Sequence, residues 1–147
     1  MDGGCRFCEI VAGKAPAYII SKDKQFTAFL DAIPIFSGHS LIVTNKHYET
    51  IEDTPPKVVG DLFRLARMLS VAVRETTSSQ GTLLMVNNKV SQSIPHIHVH
   101  VIPRNKGDGM VGFMWPRHPY QDVKSAENVR IAIAAVMKKL AMGKNAR

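Results

Sequence analysis

Three histidines alternate with apolar residues in one short segment of the sequence. His96, His98 and His100 are separated by Ile97 and Val99, and this alternation places every second side chain on one face of a β-strand. Because an imidazole has an ordinary pKa of about 6.5, one ring nitrogen is largely unprotonated at neutral pH and can attack phosphorus. The segment therefore predicts a catalytic strand with the central His98 as the nucleophile.

Other uses of the histidine row remain open. Two neutral imidazoles in an H-x-H strand can bind zinc, so a metal hydrolase with zinc on the row is one alternative. A second alternative is a row of solvent-exposed histidines without a chemical role, although surface strands favour Thr, Lys or Glu over a titratable cluster. In the nucleophile interpretation, the second nitrogen of His98 keeps its proton and needs an acceptor, and the flanking imidazoles donate to the phosphoryl oxygens or the departing group.

The sequence has two cysteines, Cys5 and Cys8, at C-x-x-C spacing. A structural disulfide is not expected in a cytoplasmic protein, and no thioredoxin-like βαβ pattern surrounds the pair. Because zinc takes four ligands, the pair is half of a structural zinc site. The alternative is two thiols that hold no metal.

Length and composition are those of one folded domain, which we expect to span residues 1–147. Hydrophobic residues make up 45% and charged residues 21%, which excludes the disordered and fibrous classes. A net charge of +7 favours anionic partners, but no basic run is interleaved with aromatics, so specific nucleic-acid binding is not expected. The apolar runs are too short to span a membrane and no signal peptide is evident, which predicts a cytoplasmic protein.

Local patterns predict the elements that position the histidines. A turn and a short helix are expected over residues 5–12, ending at Gly13. Strands are predicted at residues 17–21, 25–30, 40–44, 82–87 and 96–103. A long helix follows the third strand, and a last helix with a basic tail is expected within residues 125–147. Consecutive strands with helices grouped apart predict an α+β fold on an antiparallel sheet of about five strands.

The two longer helices are predicted to be amphipathic. Thr54, followed by Pro55 and Pro56, predicts the start of the first, because threonine can cap free amides and proline suits the first turn. Apolar residues recur at helical spacing in each helix, and both stripes are expected to be buried. The stripes are Val58, Leu62, Leu65, Ala66, Leu69 and Val73 in the first helix, and Val129, Ala132, Ile133, Val136 and Leu140 in the second, which should extend over residues 125–142.

The sequence resembles the histidine triad (HIT) family of nucleotide hydrolases and transferases. The family signature H-φ-H-φ-H-φ-φ, with φ apolar, fits HIHVHVI at residues 96–102, and the segments CRFCEIV (5–11), FLD (29–31) and GHSLIV (38–43) extend the likeness over nearly the whole chain. Residues 103–109 resemble the bacterial and diadenosine-polyphosphate-hydrolase branches. The resemblance implies the HIT fold, a homodimer, and cleavage at the α-phosphate of an adenine-type nucleotide through a nucleotidyl-histidine intermediate. Dinucleoside polyphosphates and nucleoside phosphoramidates are the substrate classes it implies.

The resemblance also implies a role for individual residues. His98 forms the covalent intermediate, His100 contacts the α-phosphate and helps the leaving group, and His96 orients the nucleophile through its main-chain carbonyl. The residues expected around the substrate are Asp31 at the ribose hydroxyls, Ile33 against the base, His39 behind the triad, and Asn87, Gln92 and Ser93 near the phosphates. In the bacterial members two histidines complete a zinc site, which here gives Cys5, Cys8, His47 and His96 as ligands of a structural Zn²⁺.

One loop departs from the family pattern. The segment between the asparagine and the glutamine, residues 87–92, is about two residues shorter than usual, and Ser91 stands where glycine is common. Glycine lets phosphate-binding amides approach a ligand closely, so the leaving-group preference is open and Lys89 is a candidate to supply charge there. This loop favours the alternative of a catalytically weak, zinc-containing nucleotide sensor or interaction protein. His118 is expected at the surface or in a C-terminal lid.

Overall fold

A computed structural model describes residues 4–110 and 118–144. Its elements in chain order are α1 (Arg6–Val11), β1 (Ile19–Lys22), β2 (Phe26–Leu30), β3 (Ser40–Thr44), α2 (Pro56–Thr77), β4 (Gly81–Met85), β5 (His98–Arg104) and α3 (Val123–Lys144). The strands form one sheet in the order β1-β2-β3-β5-β4, and every neighbouring pair is antiparallel. The predicted α+β fold with an antiparallel sheet of about five strands is confirmed.

One face of the sheet packs against α2. Ile42 of β3 and Val99 and Val101 of β5 pack in one cluster with Leu62 and Ala66 of the helix, and none of the five has measurable exposure. Full burial of each large aliphatic side chain contributes roughly 1.5–3 kcal/mol. The predicted stripe of this helix is confirmed, since its remaining members are buried or pack against the same cluster.

The opposite face carries the histidines. Leu41 and Phe29 of this face pack with Phe7 and Ile10 of α1 in a second cluster. His98 lies edge-on to the ring of Phe7, with centroids 5.1 Å apart. The short helix α1 therefore forms a wall beside the start of β5.

Several predicted boundaries differ from the structure. β1 spans Ile19–Lys22 instead of 17–21, β4 spans Gly81–Met85 instead of 82–87, and α3 spans Val123–Lys144 instead of 125–142. The starts of β5 and α2 differ as well. The amide of Ile97 donates to the carbonyl of Tyr48 (2.7 Å) and that of His96 to the carbonyl of Ile94 (2.8 Å), so β5 begins at His98 and not at residue 96. Because His96 lies before the strand, the direction of its side chain is set by its hydrogen bonds and not by the alternation of a β-strand.

The predicted cap of α2 is wrong. Pro55 occupies the cap position and the helix begins at Pro56. The hydroxyl of Thr54 donates to the carbonyl of Thr50 (2.8 Å), which uses it in the turn before the helix. Proline in the first turn has no amide that needs a cap.

The chain separates into two compact units, Met1–Asp108 and Gly109–Arg147, and a single domain over residues 1–147 stays a prediction. In the second unit the Asp122 carboxylate accepts from the amide of Ser125 (2.6 Å) at the start of α3. The stripe predicted to be buried on this helix is exposed, by 41% at Val129 and 60% at Leu140. The expectation of a buried stripe is therefore wrong for the described residues of α3. Residues 145–147 of the predicted tail lie outside the described residues.

No helix in the two described segments has both the length and the apolar character needed to cross a membrane. The cytoplasmic location stays a prediction.

Candidate active site

His98 is held with one ring nitrogen committed to the backbone. Its Nδ1 lies 2.7 Å from the carbonyl oxygen of His96, and because a carbonyl can only accept, Nδ1 carries the proton and Nε2 keeps the lone pair. The side chain is 4% exposed. Burial lowers the pKa of His98 below its ordinary value, against the smaller opposing effect of the hydrogen bond to His96. The ring is therefore neutral at pH 7 with an unprotonated Nε2.

His100 is held with the opposite proton arrangement. The amide of Ile35 donates to Nδ1 of His39 (3.2 Å), so the proton of His39 lies on Nε2, which donates to Nδ1 of His100 (2.9 Å). The proton of a neutral His100 is thereby placed on Nε2. Burial, and to a smaller degree the neighbouring His98 and His39, lowers the pKa of His100 to about 4.

Asp31 lies directly after β2, where the strand ends. One of its carboxylate oxygens accepts from the amide of Ile33 (2.9 Å), and the other lies 3.7 Å from Nε2 of His39. The side chain of Ile33 is 89% exposed. The turn after β2 thus brings a carboxylate and an exposed apolar side chain close to the histidines.

These side chains line one cleft of about 760 Å³. The predicted residues that line it are Asp31, Ile33, Ser93, His98 and His100. The sequence did not predict that α1 contributes Arg6, Phe7 and Ile10 to the wall. The spacing of Arg6 and Ile10, one helical turn apart, was the available signal.

Asn87 and Gln92 do not line this cleft, and their side chains bond to backbone groups of the loop and of Glu49. The side-chain amide nitrogen of Asn87 donates to the carbonyl of Ser91 (3.1 Å). The side chain of Gln92 accepts from the amide of Lys89 (2.7 Å) and donates to the carbonyl of Glu49 (2.6 Å). Lys89 and Ser91 adopt φ values of 66° and 58°, the left-handed conformation that glycine adopts most easily.

A second cluster joins Cys5, Cys8, His47 and His96, whose ligand atoms all lie within 4.8 Å of one another. Nδ1 of His96 is 3.5 Å from Sγ of Cys5 and 3.6 Å from Sγ of Cys8, and Nδ1 of His47 is 3.4 Å from Sγ of Cys8. A tetrahedral site with ordinary Zn–S and Zn–N bonds separates sulfur from nitrogen by about 3.6 Å. The residues therefore fit a zinc ion in both type and spacing.

The orientation of His96 suits this cluster. Its Nε2 donates to the carbonyl of Thr44 (2.8 Å), which leaves the lone pair on Nδ1 facing the sulfurs. Of the two candidate metal clusters among the described residues, one contains His96, the other contains His100, and neither contains His98. This division gives no support to zinc held by all three triad histidines.

The two sites thus share one segment of backbone, because His96 belongs to the metal cluster and its carbonyl accepts from His98. The HIT domain matches residues 12–107, well over half of the chain. The chain belongs to the HIT family.

Two HIT relatives that have named activities are similar to this chain. Adenylylsulfatase HINT3 of Arabidopsis thaliana is 37% identical over 74% of this chain, and the chain spans 56% of that relative's length. Adenosine 5'-monophosphoramidase HNT1 of Saccharomyces cerevisiae is 31% identical over 79% of this chain, and the match spans 72% of the length of HNT1.

A solved HIT structure bears on the metal cluster. The crystal structure of a zinc-bound histidine triad family protein from Mycobacterium smegmatis is 32% identical to this chain, with a TM-score of 0.70 over 92% of this chain and 97% of that one. A zinc ion is therefore bound by a protein of similar fold and sequence.

Proposed function

We propose that this HIT protein breaks a bond at the α-phosphate of a nucleotide through a covalent intermediate on His98. The observation that carries the proposal is the 2.7 Å contact between Nδ1 of His98 and the His96 carbonyl, because it leaves Nε2 unprotonated and nucleophilic. The adenine nucleotides in the names of HINT3 and HNT1 support the same substrate class.

In the first step a bond forms between phosphorus and Nε2 of His98, and the bond to the leaving group breaks, with its electron pair departing on that group. His98 keeps its Nδ1 proton and is cationic until water, or another acceptor, attacks phosphorus. The Nε2–P bond then breaks, its electron pair returns to His98, and the water releases a proton to solvent. In this proposal the Nε2 proton of His100 hydrogen-bonds to the leaving group.

This arrangement suits leaving groups that depart as anions. A neutral His100 whose Nδ1 already accepts from His39 can donate a hydrogen bond but has no spare proton to transfer. We therefore place phosphoric anhydrides, such as dinucleoside polyphosphates, first among the substrates. Nucleoside phosphoramidates are the second candidate, favoured by the activity in the name of HNT1.

Trapping the intermediate tests the proposal. Protein mixed with α-labelled diadenosine polyphosphate and quenched in base should carry acid-labile label, and His98→Ala should abolish both label and turnover. His118→Ala is the matched control, because His118 is exposed and lies outside the segment that carries the triad. Nucleotide binding without an adduct or turnover would instead establish the sensor, which the loop-engaged Asn87 and Gln92 favour.

We also propose that Cys5, Cys8, His47 and His96 hold a structural Zn²⁺. The ion would join α1 to the segments after β3 and before β5, and would fix His96, whose carbonyl orients His98. Elemental analysis should find one zinc per chain in the wild type and in His118→Ala, and none in Cys8→Ala. A strong chelator should lower the Tm of the wild type and leave that of Cys8→Ala unchanged, whereas no zinc and no change in Tm would leave two thiols without a metal.

We also propose that the protein forms a homodimer. β4 is an edge strand of the sheet, and Leu84 of β4 and Met68 of α2 are exposed apolar side chains, by 38% and 64%. Large exposed apolar areas beside an unpaired edge are typical of protein interfaces. We propose that a second copy of the chain covers this edge. Specific nucleic-acid binding is not part of the proposal.

A further inference from the structure

Arg6 is a charged cleft residue that the proposed reaction does not use. Among the described residues that line the cleft, it is the only one with a permanent positive charge. It follows Cys5, so the turn that presents the cysteines also fixes where the side chain of Arg6 begins. A guanidinium has five donors and no acceptor, so any ligand group that it recognises must accept hydrogen bonds.

Arg6 belongs to the apolar part of the cleft. Ile10 lies one turn further along α1, on the same helical face, and both residues line the cleft with Phe29 and Leu41. Phe29 and Leu41 are buried in the cluster that α1 covers. Flat apolar walls of this kind suit a nucleobase, whereas the phosphorus has to lie within reach of His98.

The guanidinium is available to a ligand. The Arg6 side chain is 53% exposed, and its ion pair with Glu9 is long, at 3.7 Å, and also exposed. Such a pair between neighbouring turns of a helix is weak. Glu9 itself does not line the cleft. Because its ion pair with Arg6 is weak, Glu9 would compete only slightly with a bound base for the guanidinium.

We propose that Arg6 reads the edge of the base and makes the site prefer guanine to adenine. Guanine presents two adjacent acceptors, O6 and N7, which match two guanidinium donors, whereas adenine presents N7 beside an amino donor. The proposal rests on the proposed nucleotide site, and it revises the adenine preference that the family resemblance implies.

Binding of GMP and AMP, measured by titration calorimetry, tests the proposal without requiring turnover. The wild type should bind GMP about tenfold more tightly than AMP, which is the lower part of the discrimination given by a bidentate arginine–guanine contact. Arg6→Met keeps the apolar stem and should bring the ratio of the two Kd values below about two by weakening GMP alone. Arg6→Lys, which lacks the paired donors, should also lose most of the preference.

The control is Lys14→Met, which removes one charge from an exposed lysine near α1 that does not line the cleft, and it should keep the wild-type ratio. Equal weakening of GMP and AMP in Arg6→Met would place Arg6 at the phosphate and overturn the proposal, as would a wild type without preference for GMP. Failure of the proposed reaction is separate, because it appears as the absence of a His98 adduct while the Kd ratio is still measured.

Discussion

His98 and His100 lie two residues apart on one strand face, yet their neighbours give the two rings opposite proton arrangements. The His96 carbonyl accepts from Nδ1 of His98, while His39 donates to Nδ1 of His100. One ring therefore offers a lone pair on Nε2 and the other a proton on the same atom. A nucleophile and a hydrogen-bond donor result from one residue type.

His39 is expected to act through His100. Replacement by leucine in His39→Leu removes the donor to His100 Nδ1, so the proton of His100 is no longer fixed on Nε2, and kcat should fall by roughly 10- to 100-fold. The loss should be larger for substrates with more basic leaving groups, because these need the hydrogen bond most. His39→Asn, which retains a side-chain donor, should recover part of kcat. A loss of the same size for every leaving group would point to a purely structural role.

The low pKa of His100 predicts that this residue becomes protonated only well below pH 6.5. Because burial lowers this pKa to about 4, His100 should remain neutral when the pH falls from 7 through the ordinary imidazole pKa of about 6.5. Its ring signals in NMR spectra should shift only as the pH approaches 4 to 5, and kcat/KM should lose no activity near pH 6.5 through this residue. An NMR midpoint at pH 6.5 would contradict the buried environment.

Gly38 lies in the segment between β2 and β3 and packs closely against Thr77 at the end of α2. It adopts φ +94°, and a Cβ on it would lie 2.5 Å from Cγ2 of Thr77, so Gly38→Ala should lower the free energy of unfolding by about 2 kcal/mol. Thr77→Ser removes that methyl group and keeps a hydroxyl that can donate to Val73, as Thr77 does. The double variant should regain part of the loss in a urea-unfolding cycle. Strict additivity would mean that the methyl group is not the obstacle.

The elements with local signals could be predicted from the sequence, whereas features that depend on distant partners could not. The compact β-branched run at β3, the alternation at β5 and the stripe of α2 all depend on residues that are neighbours in sequence. His96 was assigned to the strand because its controlling contacts, with Cys5 and Cys8, lie 91 and 88 residues away. The stripe of α3 was predicted to be buried because periodicity identifies an apolar face but not what covers it.

At the scale of the whole molecule the two edges of the sheet differ. β1 contains Lys22 and has an irregular register with β2 between Ile19 and Ser21, and both a charge and a bulge discourage pairing with another chain. β4 contains no charged residue and its register with β5 is regular. The asymmetry favours β4 as the edge that meets a second copy.

The two edges therefore predict different results for the same type of substitution. In sedimentation equilibrium the wild type should have twice the 16.2 kDa mass of the chain. Leu84→Lys on β4 should shift the protein towards the monomer, because an ammonium buried in an apolar interface is costly. Ile20→Lys on β1, where the side chain is 47% exposed, is the matched control and should leave the dimer intact. Dissociation by Ile20→Lys with no effect of Leu84→Lys would assign the interface to the opposite edge, and a monomeric wild type would refute the dimer.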